Sequence, residues 1–178
     1  AGGIIAIGLD EGDRVIDVAV CDEAAEVILG TADGKSIRFK VTDVRSMGRP
    51  ARGVRGIKLK GDDEVRGMAV VSTDSALLTA CEHGYGKLTV FDDYPLQGRG
   101  GQGVIDIKAT KRNGRVVTIR AVASEGQDVM YITEGGQVVR TPASEIPVIG
   151  RATQGVRLIA LKSDDVLASA TPVDREDE

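Results

Sequence analysis

The apolar positions along this chain alternate. Ile5, Ile7 and Leu9 are separated by single residues, as are Ile57 and Leu59, Ile105 and Ile107, and Ile159 and Leu161, with Lys58, Lys60, Asp106, Lys108, Ala160 and Lys162 interleaved. A period of two places one face in a core and predicts half-buried strands. β-Branched runs continue the pattern at Val15–Val20, Val65–Val71 and Val116–Val122, then at Val27–Thr31, Ala76–Ala80 and Val129–Thr133. A third set lies at Ser36–Phe39, Lys87–Phe91 and Gln137–Thr141. The second and third sets are joined by Ala32-Asp33-Gly34, Glu82-His83-Gly84 and Glu134-Gly135-Gly136. Glycine turns between β-branched runs are hairpin signals. No sustained 3.6-residue pattern appears, so little helix is expected.

These elements recur as a unit. Residues 48–59 read GRPARGVRGIKL, residues 98–109 GRGGQGVIDIKA and residues 150–161 GRATQGVRLIAL; GGIIAIGL at 2–9 repeats the second half of the phrase. The shared glycines, Gly3, Gly53, Gly103 and Gly155, are spaced by 50, 50 and 52 residues. Charged turns follow each phrase, at Asp10-Glu11-Gly12-Asp13, Gly61-Asp62-Asp63-Glu64, Lys111-Arg112-Asn113-Gly114 and Ser163-Asp164-Asp165. Units of about 40–50 residues with four short strands predict an all-β, propeller-like array. A closed ring takes roughly 4–8 blades. The repeats divide as about 1–47, 48–97, 98–149 and a partial 150–173, forming one domain over 1–173 with an acidic tail at 174–178. The expected shape is an open arc or a partial disc.

Composition narrows the function. Trp is absent and aromatics are 3%, so the core is built from Val, Ile, Leu and Ala. No apolar run is long enough to span a bilayer, nothing resembles a signal peptide, and the chain opens inside a repeat without Met, which reads as an excised fragment with no membrane role. Cys21 and Cys81 form no CxxC and His83 stands alone, which reads as two reduced thiols of a cytoplasmic protein with no metal site. No Ser/His/Asp set or phosphate loop is present, Tyr85, Tyr94 and Tyr131 show no activating neighbour, and Asp62-Asp63 and Asp164-Asp165 read as turn residues; no catalytic residues are expected.

The net charge is −4, to which the last five residues contribute −3. The basic residues matter by position. Arg49, Arg99 and Arg151 open the phrase; Arg55 matches Arg157, Lys58 matches Lys108, and Arg38 matches Arg140. An array places equivalent residues on one rim, and a curved basic band suits a duplex carrying a phosphate charge every ~1.7 Å. The candidate DNA contacts are Arg38, Arg49, Arg52, Arg55, Lys58, Lys60, Lys87, Arg99, Lys108, Arg140, Arg151 and Arg157. Glycines around Arg99 would let backbone N–H groups approach phosphates. A propeller that binds only protein fits the same pattern.

The unit GR-x-x-x-GV-x-x-I, with its hairpin and the turn Gly84-Tyr85-Gly86-Lys87, resembles the C-terminal domain of the bacterial DNA gyrase A polypeptide over essentially the whole chain. The related topoisomerase IV domain has more degenerate repeats. The resemblance implies a β-pinwheel, with strands exchanged between blades and a basic rim that wraps duplex DNA. It implies partners in the rest of gyrase A and in gyrase B, as an A2B2 heterotetramer performing ATP-dependent negative supercoiling. It also implies that ATP and Mg2+ are used elsewhere in the enzyme and no cofactor is held here. The family's box, Gln-Arg-Arg-Gly-Gly-Lys-Gly, finds its nearest match in Gln97-Gly98-Arg99-Gly100-Gly101-Gln102-Gly103, a degenerate copy lacking the Arg at 98 and the Lys at 102. The tail resembles the family's acidic C-terminus, which would compete with DNA for the rim.

Overall fold

The structure, a computed structural model, describes residues 2–123 and 125–175. Its strands are β1 (Glu26–Thr31), β2 (Lys35–Lys40), β3 (Val65–Val70), β4 (Ser75–Cys81), β5 (Tyr85–Val90), β6 (Val104–Ile105), β7 (Val116–Ala123), β8 (Gln127–Thr133), β9 (Val138–Pro142), β10 (Val156–Arg157) and β11 (Leu167–Asp174). Helix is confined to single 3₁₀ turns at Val41–Asp43, Phe91–Asp93 and Ala143–Glu145.

The strands form three antiparallel sheets. The first runs β3-β1-β2-β6, the second β10-β5-β4-β7 and the third β11-β8-β9. In each, a hairpin is joined on one side by the return strand of its own segment. On the other side the first two sheets receive a phrase strand from the following segment: β6 pairs Lys35 with Ile105, and β10 pairs Tyr85 with Arg157. The structural unit thus begins at the hairpin, half a repeat out of phase with a division that starts at the phrase. This exchange makes the array a pinwheel.

The recurring phrase glycine marks the crossing. A Cβ on Gly103 would lie 2.1 Å from the Ser36 carbonyl oxygen, and one on Gly155 2.6 Å from that of Gly86. Both glycines have positive φ, +65° and +74°. The backbone passes too close for a side chain, in a conformation that favours glycine. At Gly3 and Gly53 nothing lies within 4 Å, because no earlier hairpin is present in this chain for those phrases to cross.

The same reason corrects three strand expectations. Val15–Val20 and the Ile5/Ile7/Leu9 and Ile57/Leu59 alternations form no strand. Val18 is 84% and Val20 100% exposed, Ile5 76%. In later segments the stretch corresponding to Val15–Val20 pairs with a hairpin laid down before it, as β3, β7 and β11, and the phrases at 104 and 156 do so as β6 and β10. β-Propensity records fit to a pleated neighbour, and without the neighbour it builds nothing. The segment is tethered instead by Gly8 N–H to the Ala51 carbonyl (3.1 Å) and by the Asp17 carboxylate to Arg120 (2.8 Å).

Three apolar clusters fill the blades. One centres on Val27, Ile37, Phe39 and Ile57, a second on Ile28, Leu77, Phe91, Ile107 and Ile119, and a third on Leu78, Leu88, Val129, Tyr131 and Ile159. The second and third mix residues of neighbouring sheets, so the blades are not independent. β3 packs against β7 and β7 against β11, which turns these edges toward the inside of the curve and the edges bearing β6 and β10 outward. Among the described residues no pairing joins the first sheet to the third, so the array is an arc.

Candidate nucleic-acid interface

The outer edge is built by laying each phrase on the next. Lys58 N–H donates to the Gly101 carbonyl (2.8 Å), and at the equivalent position Lys108 N–H donates to that of Thr153 (2.7 Å). Gly100 N–H donates back to Gly56, and Ala152 N–H to Asp106 (2.7 Å). The glycine-rich loop 97–103 therefore uses the Gly100 amide inside the fold, where the sequence suggests a phosphate contact. Lys58 and Lys108 ride on this ladder, exposed. Arg55, Lys60 and Arg157 are exposed on the same phrases, and none of these five forms an ion pair among the described residues.

The phrase-opening arginines hold the ladder together. Arg99 donates through Nε to the Asp43 carbonyl (2.8 Å) and through a terminal nitrogen to that of Arg55 (3.2 Å). Arg151 repeats this with Asp93 and with Ile105 (3.1 Å). Each bolts the 3₁₀ turn of one hairpin to the preceding phrase, and each keeps its charge, since carbonyls do not neutralise a guanidinium. Arg49, in the first copy, is exposed beside Ile4, Ile5 and Pro50 and makes no such bonds. Arg52 is spoken for by Asp10 at 2.6 Å.

Two expected contacts, Arg38 and Lys87, are corrected, and a third, Arg140, is ion-paired. Arg38 is half-buried, bound to Glu26 at 2.6 Å and to the Phe91 and Tyr94 carbonyls of the next blade at 2.7 and 3.3 Å. Arg140, its equivalent, pairs with Asp128 at 2.6 Å, a carboxylate that also accepts from Arg175. Arg38 is a neutralised bolt between blades, whereas Arg140 stays exposed and is paired within its own hairpin. Lys87 is wholly buried. Its Nζ donates to the carbonyls of Asp106 (3.0 Å) and Gly150 (2.9 Å) and lies 3.4 Å from the Asp106 carboxylate, which also accepts from Thr79 and Tyr94 at 2.7 Å each. Burial pulls the Lys87 ammonium below its ordinary pKa, and Asp106 opposes that. An enclosed ammonium cannot reach a phosphate.

One cluster has no counterpart in the expected set. Tyr85 sits with Arg112 and Arg157, their guanidinium carbons 4.8 and 5.8 Å from the ring centre. Arg157 donates to the Tyr85 hydroxyl at 3.4 Å. Arg157 first, then Arg112, hold the phenol below its ordinary pKa. Tyr94 and Tyr131 are pushed far up by burial. Tyr85 and Arg112 lie in one segment and Arg157 in the next, all far apart in sequence, so local sequence carries no sign of the cluster; the strand register sets Tyr85 opposite Arg157.

The recurring acidic turns have structural work. Asp63 Oδ1 accepts from the Asp33 and Glu64 amides, and Asp165 Oδ1 from those of Gly135 and Val166. Each ties a phrase turn to a hairpin turn. Among the described residues no three His, Cys, Asp or Glu side chains gather as a metal site. Both cysteines are free, and burial pushes the Cys81 thiol up to about 12. Asp174 ends strand β11 and bonds Gln127, so two of the five tail positions, Asp174 and Arg175, belong to the third blade; residues 176–178 lie outside the described residues. Among the described residues no helix is long and apolar enough to cross a membrane.

Strand-exchanged blades with a ladder of cationic phrases on the outer edge define the β-pinwheel class. Within it, the family described as DNA gyrase C-terminal domain, beta-propeller, matches residues 1–22, 25–72, 76–123 and 127–174, and the chain belongs to that family. These segments share the hairpin-first phase of the sheets. The DNA gyrase A polypeptide of Salmonella typhimurium is 47% identical over 99% of the chain, and that of Escherichia coli 45% over 98%. The chain spans about a fifth of the length of these relatives. A solved DNA gyrase A C-terminal domain superposes with a TM-score of 0.87 at 29% identity, covering 96% of this chain and 58% of that one. The C-terminal domain of DNA topoisomerase IV has the same fold, with a TM-score of 0.88 at 23% identity over 95% of this chain and 53% of that one.

Proposed function

We propose that the arc binds and bends duplex DNA along its outer edge, as part of the A polypeptide of a gyrase. The observation that carries this is the ladder of phrases. It holds Arg55, Lys58, Lys108 and Arg157 at repeating positions, exposed and unpaired among the described residues, on the convex side of a curved array. Repeated cations at fixed separation neutralise successive phosphates, and a convex track favours a bent duplex over a straight one. Lacking an Arg at 98 and a Lys at 102, the 97–103 loop guides DNA without starting the wrap. In the parent enzyme, an A2B2 assembly with gyrase B, the bent segment supplies a crossing for ATP-driven, Mg2+-dependent strand passage carried out elsewhere.

The test is duplex affinity against salt for this chain and for R55Q/K58Q/K108Q, with bending read from end-to-end energy transfer. The wild type should lose affinity steeply with salt, and the triple variant's log–log slope should shrink by about 2–3, near 0.9 per phosphate contact. Salt-independent binding, or a slope the triple variant leaves unchanged, refutes the proposal.

A further inference from the structure

We propose that Tyr85, Arg112 and Arg157 form a clamp for one backbone phosphate of duplex DNA. This rests on the DNA reading above and adds a site to it.

Two guanidiniums face one aromatic ring, and neither pairs with a carboxylate among the described residues. Like charges held close together are unfavourable unless an anion joins them. Glu82, on the facing turn, already accepts from the Arg115 amide at 2.8 Å.

The scaffold is rigid. Arg157 is fixed in register opposite Tyr85 by β10 and β5. Arg112 stands in a turn organised by the buried Asn113, which accepts from the Thr110 amide (2.7 Å) and donates to the Lys108 and Gln154 carbonyls (3.1 Å each). That turn docks on the Tyr85 hairpin through the His83 amide, which donates to Asn113 at 3.0 Å.

The chemistry matches a phosphodiester. Its two non-bridging oxygens can take one guanidinium each, with the Tyr85 hydroxyl as a third donor. Lys108 and Lys111 extend the positive charge along the chain beside Arg112, both exposed and without ion pairs among the described residues. A track of cations suits a polyanion with a charge at every step better than a single carboxylate.

Three measurements decide the matter. The first is the salt slope of duplex binding for the wild type, R112Q/R157Q and Y85F, with thermal melts to establish folding. The second is the phenolate absorbance titration of Tyr85, alone and with a mixed-sequence duplex. The third repeats that titration with inorganic phosphate and with an acidic peptide at matched ionic strength. The clamp predicts that R112Q/R157Q melts like the wild type and has a slope smaller by about 1. It also predicts that duplex raises the Tyr85 ionisation midpoint, because a bound phosphate disfavours the phenolate. An unchanged slope in the folded double variant, beside salt-dependent wild-type binding, overturns the clamp and leaves the DNA reading intact. Salt-independent wild-type binding overturns both. A larger Tyr85 shift with free phosphate or the acidic peptide than with duplex assigns the site to that ligand and overturns the proposal.

Discussion

The buried group around Asp106 offers the sharpest test of how the blades are joined, because the equivalent positions of the other two blades carry no charge. Strand register aligns Thr79, Lys87, Tyr94 and Asp106 with Leu29, Ile37, Val44 and Gly56 in the first blade, and with Tyr131, Val139, Ile146 and Leu158 in the third. One of the three sets is charged and two are uncharged. In Asp106→Leu, Lys87 loses the carboxylate it pairs with, and the Tyr94 and Thr79 hydroxyls lose their acceptor, all in the interior. Breaking a buried pair on one side costs about 3–5 kcal/mol. Against a total of about 5–15 kcal/mol for a domain, that is a large share. With a urea m-value near 2 kcal/mol/M, the midpoint should fall by roughly 1.5–2.5 M. The swap T79L/K87V/Y94I/D106L, which imports apolar residues used at the equivalent positions of the other blades, should recover most of this loss, since matched apolar replacement of a buried pair is often neutral or better. Urea unfolding followed by circular dichroism gives both midpoints. A single variant within about 0.5 M of the wild type, or a fourfold variant less stable than the single one, would refute the reasoning.

Three further outcomes follow. Ala152 occupies the position of Gly100 with φ of +57°, where an alanine costs about 1–2 kcal/mol, so Ala152→Gly should stabilise the fold by about 0.5–1 kcal/mol after the glycine's own entropic penalty; a lower melting temperature would contradict this. Cys21 is exposed and Cys81 is buried with its thiol held up to about 12, so one thiol should react with a disulfide reagent at mild pH and the second only on unfolding. Arg175, then Arg140, lower the Asp128 pKa. A depressed carboxylate contributes stability that is complete above its unfolded value near 4 and is lost as pH falls through the folded value. Asp128→Asn should therefore flatten the acid limb of a stability–pH curve below about pH 4, and an unchanged limb would count against the pairing.

Alternation locates the hairpins well: it predicts Ala76–Ala80 where the strand is Ser75–Cys81, and the glycine turns lie where the pattern puts them. It fails where a strand depends on something distant. Val15–Val20 has the same composition as the runs that form β3 and β7, but no hairpin to pair with. Lys87 is misplaced for the opposite reason. Residues 86–89 of β5 are buried in succession, so alternation gives no hint that the lysine faces inward. The Tyr85 cluster is not legible at all, since Arg112 meets the ring only through the docking of two turns distant in sequence.

Recurrence in a repeat protein therefore carries two kinds of information that the sequence alone cannot separate. Arg99 and Arg151 recur because each meets the same pair of carbonyls, and Asp63 and Asp165 because each caps the same hairpin turn. Lys58 and Lys108 recur with side chains that contact nothing charged among the described residues. The first kind builds the array and the second is left over for a partner. The distinction also resolves the apparent conflict between a net charge of −4 and a polyanionic ligand. Asp63, Asp165, Glu26, Asp128 and Asp106 are engaged by amides, arginines or the buried lysine, whereas the phrase cations Arg55, Lys58, Lys108 and Arg157 are exposed and form no ion pair among the described residues. On the DNA reading proposed above, a duplex following the outer edge would meet that local field within a Debye length of about 10 Å at moderate salt, and its affinity would depend on the edge cations rather than on the sum over the chain.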